Sequence, residues 1–403
     1  MIRIRVWHKG LGNPYLPVVL LANVGTSAAL YTSLLSLIPR ASIAASVTRH
    51  ASTTLAIVAS VGAVAAMVTN IIIGLLSDHR MKHHGTRRLW AVVGMMIGTS
   101  ALLASSIAHS LAALIIAWVF VQLGINCMLA VITAYIPDHV PIRSRGAVSG
   151  WFALAQSLGL VFGLLVVSTV VQGVTTGYVF LSISFLLLAL PFALTASPVV
   201  QPHITQSSDT TPLPSVLIRR NFRNTWLLRF VATLANSIAP LYVLLYLKHL
   251  HVAKPELAEL LIIVIIIVAL IPSLILFGAR SDRKGRRKYY VGIALITMTV
   301  AYVVLALSHS FPPLLVFGAL FGGGYGIYLS VDQALVADTL PTRERFGRDL
   351  GIVNIANSAP QFVAPAIGGL IIASPAGYSG LFWLVAVILL LALVPLARIR
   401  GLS

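Results

Sequence analysis

The chain has 403 residues, of which 58% are hydrophobic and 9% charged, with a mean hydropathy of +0.95 and a formal net charge of +18. A soluble domain carries about 25% charged residues, so so little charge calls for an apolar solvent, and a bilayer supplies one. The single cysteine, Cys127, excludes an intrachain disulfide.

From the N-terminus, apolar runs fall at roughly 15–38, 53–76, 89–107, 111–136, 146–171 and 178–194, then at 224–247, 258–277, 289–308, 312–337, 347–373 and 378–397. A hydrocarbon core of about 30 Å needs about 20 helical residues at 1.5 Å each. Each run is therefore a predicted spanning helix, twelve in all. Barrel strands would be shorter and would alternate in polarity, which Leu260–Leu270 does not. The first run exceeds the apolar core of about 7–15 residues in a signal peptide, which makes it an uncleaved first helix.

The longest polar interruption, Thr195–Asn221, contains Pro198, Pro202, Pro212 and Pro214 and reads as a linker. The expected organisation is a six-helix bundle over 1–194, a cytoplasmic linker over 195–223 and a second six-helix bundle over 224–403. With both termini cytoplasmic, 23 of the 28 Lys and Arg residues fall on cytoplasmic segments, the bias that orients membrane proteins. Basic charge distributed in this way, without a basic-aromatic module, argues against a nucleic-acid partner.

The two halves repeat each other. Gly74-x-x-x-Asp78 follows the second run and Gly278-x-x-x-Asp282 the eighth, 204 residues apart. Asp138-x-x-Pro141-x-Arg143-x-Arg145 follows the fourth and Asp338-x-x-Pro341-x-Arg343-x-Arg345 the tenth, 200 apart. Matched motifs at nearly one offset indicate a duplicated six-helix unit.

The stretch GARSDRKGRRK, Gly278 to Lys288, fits the loop signature G-x-x-x-D-R-x-G-R-R without a mismatch. In the first copy Gly74, Asp78 and Arg80 fit, while His79 stands for the basic residue and MKHHG intervenes before Arg87 and Arg88. With the helix count, the linker and the repetition, nearly the whole chain resembles the major facilitator superfamily of secondary transporters. The resemblance implies an all-α polytopic membrane protein with two pseudo-symmetric six-helix bundles. It also implies a cytoplasmic gate formed by Gly74, Asp78, Arg80, Asp138, Gly278, Asp282, Arg283, Gly285, Arg286, Arg287 and Asp338. Gly74 and Gly278 would let helices approach closely. Asp78 would face the start of the eleventh helix and help hold the outward-facing state, and Asp138 and Asp338 would partner nearby arginines. The competing reading is that the arginines only set topology.

Ionisable residues inside spans are costly and usually functional, and two stand out, Arg229 and Asp332. Arg229 lies roughly 7 Å along the seventh helix and Asp332 roughly 8 Å from the end of the tenth, so their depths agree. If both helices line a cavity, as the resemblance implies, the two could pair and couple to transport. A static pair that stiffens the second half is the competing reading.

Candidates for a solute site near the midplane are Asn23, Gln122, Asn126, Gln156, Asn236, Tyr325, Tyr328, Gln333, Asn354, Asn357 and Gln361. The last three share one helix face at i, i+3, i+7. Ordinary interhelical hydrogen bonding would explain each equally. Gly150, Gly159 and Gly163 in the fifth helix, and Gly368 and Gly369 after Pro365 in the eleventh, would allow close packing and bending. PAIGG, Pro365 to Gly369, resembles the tail of the family's antiporter motif, but the fifth helix, where that motif belongs, has no proline over Ser157–Gly163. The fourth helix lacks the arginine of many proton-linked drug exporters.

His79, His83 and His84 read as a solvated basic loop rather than a metal site. No phosphate-binding P-loop and no hydrolytic triad is present. The expectation is a non-enzyme without cofactor or metal, acting as a monomer in the cell membrane, with a proton as coupling ion because Asp332 is taken as the one carboxylate inside the membrane. Neutral amides and tyrosines suit a neutral polar, sugar-like solute carried by symport. Drug or metabolite efflux by antiport, and a receptor or scaffold that has lost transport, remain as alternatives.

Overall fold

Backbone that crosses a bilayer must satisfy its own hydrogen bonds, and each apolar run of this chain does so as a helix. The computed structural model describes residues 15–45, 51–84, 86–140, 145–171, 173–195, 220–339 and 346–399. Among them α1 runs through Leu16–Thr32, a π-helical turn Ser33–Leu37 and Ile38–Ala45. Then come α2 (Ala51–His84), α3 (Arg88–Ser106), α4 (Leu111–His139), α5 (Arg145–Thr169) and α6 (Val174–Thr195). In the second half α7 comprises Arg220–Ile238, a 3-10 turn Pro240–Tyr242 and Val243–His249. It is followed by α8 (Pro255–Lys284), α9 (Arg287–Ala306), α10 (Pro312–Thr339), α11 (Phe346–Ala373) and α12 (Gly377–Leu391 with Leu393–Arg398).

Among the described residues, eleven of the twelve helices hold a stretch long and apolar enough to cross a membrane, and the twelfth, α11, contributes the shorter apolar stretch Ser358–Ala373. Large apolar side chains face outward, Leu75, Val268 and Ile275 each more than 60% exposed. That is the reverse of a soluble surface and the form expected where lipid is the solvent.

The chain divides into two units, Met1–Ile204 and Thr205–Ser403. In the first, α1 packs on α5 and α6, α3 on α4 and α6, and α2 on α4. In the second, α7 packs on α11 and α12, α9 on α10 and α12, and α8 on α10. The same five pairings recur six helices later. The two sequence offsets also find their cause. α2 and α8 begin 204 residues apart, but α2 has 34 residues and α8 has 30, so α3 and α9 end 200 apart. The four extra residues are about one helical turn.

That extra turn corrects the loop expected after the second run. His79, Arg80, His83 and His84 lie on α2 itself, and Asp282 and Arg283 on α8. Asp138 and Asp338 lie in the last turns of α4 and α10. Hydropathy marks where a helix leaves the bilayer, whereas i to i−4 bonding continues until a residue interrupts it. In α8 that residue is Gly285, with φ +65° and its N–H on the Ser281 carbonyl. A side chain there costs about 1–2 kcal/mol.

Gly74 does not have the packing role expected of it, since an added Cβ would meet nothing within 4 Å. Gly150 is equally open, and at Gly278 the Cβ would make an ordinary 3.4 Å contact with Ser330 on α10. Gly74→Ala should therefore change stability by no more than about 0.5 kcal/mol, while Gly285→Ala should lose about 1 kcal/mol or more. Thermal unfolding of the purified protein in detergent checks both; equal losses would refute the distinction.

Close helix approach occurs elsewhere. Gly159 and Gly163 of α5 lie against Val24, Ala28 and Thr32 of α1. Gly124 of α4 lies against Gly94 and Gly98 of α3, and 200 residues later Gly324 lies against Ala294 and Met298. At the α2–α4 contact, Gly62 of α2 receives the Trp118 ring of α4. At the matching α8–α10 contact the bulk is exchanged, with Gly318, Gly322 and Gly326 of α10 admitting Ile262, Ile266 and Leu270 of α8.

Candidate functional site

α7 is interrupted where Pro240, which has no N–H to donate, follows Ile238 and Ala239. The interruption is braced by Tyr242, whose hydroxyl donates to the Pro365 carbonyl of α11 at 2.5 Å and whose ring occupies the space left by Gly368. Below the break, α7 carries Thr225, Arg229 and Asn236 at i, i+4 and i+11, one helical face.

Arg229 and Asp332 meet. Guanidinium Nη1 lies 3.2 Å from carboxylate Oδ2, and the two side chains are 7% and 5% exposed. The second oxygen, Oδ1, is buried and receives no hydrogen bond. One turn earlier on α10, the Tyr328 hydroxyl lies in interaction range of the carboxylate but makes no aligned hydrogen bond. Thr225 Oγ1, Asn224 Nδ2 and both side-chain polar atoms of Asn236 are likewise enclosed without partners. A buried ion pair offsets its desolvation only when further hydrogen bonds complete it. This pair is partly completed, in a neighbourhood rich in unused donors and acceptors.

Four of the other solute-site candidates, Asn23, Gln122, Asn126 and Gln156, already hold protein partners. Asn23 Nδ2 donates to the Phe152 carbonyl at 2.9 Å, tying α1 to α5. Asn126 Nδ2 donates to Gln122 Oε1 at 2.7 Å, and Asn70 Nδ2 donates to Asn126 Oδ1 at 3.2 Å, joining α2 to α4. Gln156 Nε2 donates to the Tyr31 hydroxyl. Tyr325 is half-buried on α10, and Gln361 is exposed on α11. The side chains of Gln333, Asn354 and Asn357 lie outside the described residues, as do those of Asp78, Asp138, Asp282 and Asp338. Of the gate arginines, Arg283 and Arg286 are exposed and Arg80 and Arg287 half-buried.

Three residues have places that the sequence pattern did not assign to them. Glu259 lies within the apolar span Pro255–Gly278 and is 1% exposed, so Asp332 is not the one buried carboxylate inside an apolar span. Its position near the start of its run disguised it as an end residue. Arg87 is buried, with Nη1 donating to Ser77 Oγ at 2.7 Å, and fastens the start of α3 to the end of α2. Lys288, last residue of the GARSDRKGRRK stretch, donates through Nζ to the carbonyls of Ala397 at 2.9 Å and Ile399 at 3.0 Å. It thereby caps the orphan carbonyls that end α12. Among the described residues no group of three or more His, Cys, Asp or Glu side chains could hold a metal ion.

The family model described as Major Facilitator Superfamily matches residues 13–272 and 225–401. Citrate exporter 1 of Aspergillus niger is 32% identical over 141 residues, 35% of this chain and 26% of that protein. Monocarboxylate transporter 12 of Rattus norvegicus is 27% identical over 157 residues, 38% of this chain and 32% of that protein. The chain thus spans about a quarter to a third of the length of these curated relatives. In fold it is similar to a bacterial homolog of the human lysosomal transporter Spinster, solved in an inward-facing, unoccupied conformation. The TM-score is 0.73 at 14% identity, over 97% of this chain and 98% of the other.

Proposed function

The chain belongs to the Major Facilitator Superfamily, and from that premise we propose that it is a proton-coupled secondary transporter of small carboxylates. As a multi-pass membrane protein of a transporter family, it would work by alternating access between its two six-helix bundles. The observation that carries the coupling is the buried Arg229–Asp332 pair. A guanidinium stays cationic under all physiological conditions. When Asp332 takes a proton, the ion pair with Arg229 is lost, and a buried guanidinium facing a neutralised carboxyl is costly. A solute carboxylate can replace the lost anion bidentately. Proton and anion would then enter together, and neither alone.

The unpartnered atoms of Asn236 and Thr225, on the same face as Arg229, would orient the rest of the solute. The names of the two curated relatives favour an organic acid over the neutral, sugar-like solute suggested by amide and tyrosine content.

Purified protein in proteoliposomes, offered radiolabelled lactate, benzoate, citrate or glucose with and without an acid-outside gradient, tests the proposal. Accumulation of a carboxylate that follows the imposed pH gradient is expected. Gradient-driven accumulation of glucose with none of the acids would restore the neutral-solute reading. Carboxylate uptake indifferent to the gradient would remove the coupling.

A further inference from the structure

A row of near-parallel rings runs along α10 into the ion pair. Phe317 and Phe321 stack at 5.5 Å and 19°, Phe321 and Tyr325 at 5.6 Å and 11°, and Tyr325 and Tyr328 at 6.4 Å and 11°. The spacing is i, i+4, i+8, i+11, and the next place on that face, four residues on, is Asp332. From α9, Tyr302 abuts Phe317 at 5.3 Å and Phe321 at 5.6 Å. Stacking alone needs no hydroxyl, and at the Pro312 end the rings of α10 have none. They become tyrosines as the row nears Asp332.

The Tyr302 hydroxyl is buried without a hydrogen-bond partner, and at the end of the row the buried Tyr328 hydroxyl lies in interaction range of the Asp332 carboxylate without an aligned hydrogen bond to its enclosed Oδ1. Tyr325, stacked between Phe321 and Tyr328, is half-buried. Buried hydroxyls are almost always paired, and a tyrosine hydroxyl both donates and accepts. Among the described residues the carboxylate faces the Arg229 guanidinium of α7 and, on its own helix, the neutral Tyr328 hydroxyl.

We propose that Tyr325 and Tyr328 are a proton relay that delivers the coupling proton to Asp332. The proposal rests on the reading that Asp332 takes that proton. The Tyr328 O–H proton passes to Asp332 Oδ1 while its oxygen accepts a proton from a water hydrogen-bonded to the Tyr325 hydroxyl. Tyr325 in turn gives up its proton and is re-protonated from the aqueous phase. Each hydroxyl finishes as it began, and the net change is one hydronium proton moved onto the carboxylate. Tyr328 and Tyr325 are thus positioning and transfer groups, and the phenyl rings beyond them are scaffold.

The test needs no solute. Infrared difference spectra of the liposome-embedded protein after a downward pH jump should show a protonated carboxyl C=O stretch that is missing in Asp332→Asn. In Tyr328→Phe, which keeps the ring, that band should rise about a hundredfold more slowly, at the low end of what a positioned proton-transfer group contributes. Phe321→Leu should leave the rate unchanged. If Tyr328→Phe cannot be purified as a monodisperse species, Tyr325→Phe carries the same expectation. A band rising at the wild-type rate in the phenylalanine variant overturns the relay and leaves the Asp332 reading intact. No Asp332-dependent band at any pH overturns that reading and the relay with it.

Discussion

Asp332→Asn should abolish acid-driven solute accumulation in proteoliposomes and also destabilise the second unit. The carboxylate and Arg229 are 3.2 Å apart and nearly inaccessible. Removing one charge from such a pair leaves the other unpaired and typically costs about 3–5 kcal/mol. Asparagine keeps the shape and can accept a hydrogen bond, so the loss should fall at the lower end of that range.

Stability and coupling can be separated. Arg229→Met combined with Asp332→Leu removes both charges and should recover most of the stability, because an apolar replacement of a buried pair is often neutral or better. It should not recover transport, since neither the proton acceptor nor the anion site returns. Uptake driven by an imposed gradient and thermal unfolding in detergent are the two readings. Full gradient-driven uptake in Asp332→Asn would eliminate Asp332 as the coupling group, and the pair would be a static brace.

The second large effect is expected at a position with no polar chemistry. Gly322→Val should prevent recovery of monodisperse protein, or lower its unfolding temperature more than any other single glycine change in α10. A Cβ at Gly322 would lie 2.3 Å from the Ile266 carbonyl oxygen, 2.8 Å from its Cα and 2.9 Å from its carbonyl carbon. These are backbone atoms of a helix and cannot rotate away. Overpacking usually costs about 1–3 kcal/mol, and here two helices must separate along the Gly318–Gly322–Gly326 seam. Gly323→Ala, whose Cβ would meet only Ser273 Oγ at 3.7 Å, is the matched control. Equal tolerance of both changes would show that the seam is not tight.

Gly322 also illustrates what sequence could and could not say. GGGYG, Gly322 to Gly326, stands inside the tenth apolar run, and small residues at spacing four permit close packing. That α8 is the partner, and that the first unit fills the matching contact with Trp118 against Gly62, depends on which helices neighbour one another. Gly74 is the converse case. It stands first in a signature motif, yet it faces open space.

The ion pair was half legible. Arg229 and Asp332 announced themselves because charge inside an apolar run is rare, and equal depth made a pairing feasible. Depth along a helix axis leaves the rotation about that axis free, so the 3.2 Å contact and the unserved Oδ1 required the packed structure. Asn23, Asn126 and Gln156 had the same depth argument in their favour, but their polar atoms bond to neighbouring helices.

By itself the sequence determined the solvent, the number of spans and the duplication, because hydropathy and repetition are local properties that each segment carries with it. The 204 and 200 offsets even recorded the extra turn of α2, though its helical form was not apparent until the backbone was in view. Only the tertiary structure decided where the helices end, which glycines are pressed against backbone, that Glu259 is enclosed, and that Asp332 lies against Arg229 at the foot of an aromatic row. Each of these depends on the rotation and register of one helix against another. A linear pattern fixes which residues share a face and leaves open what that face meets.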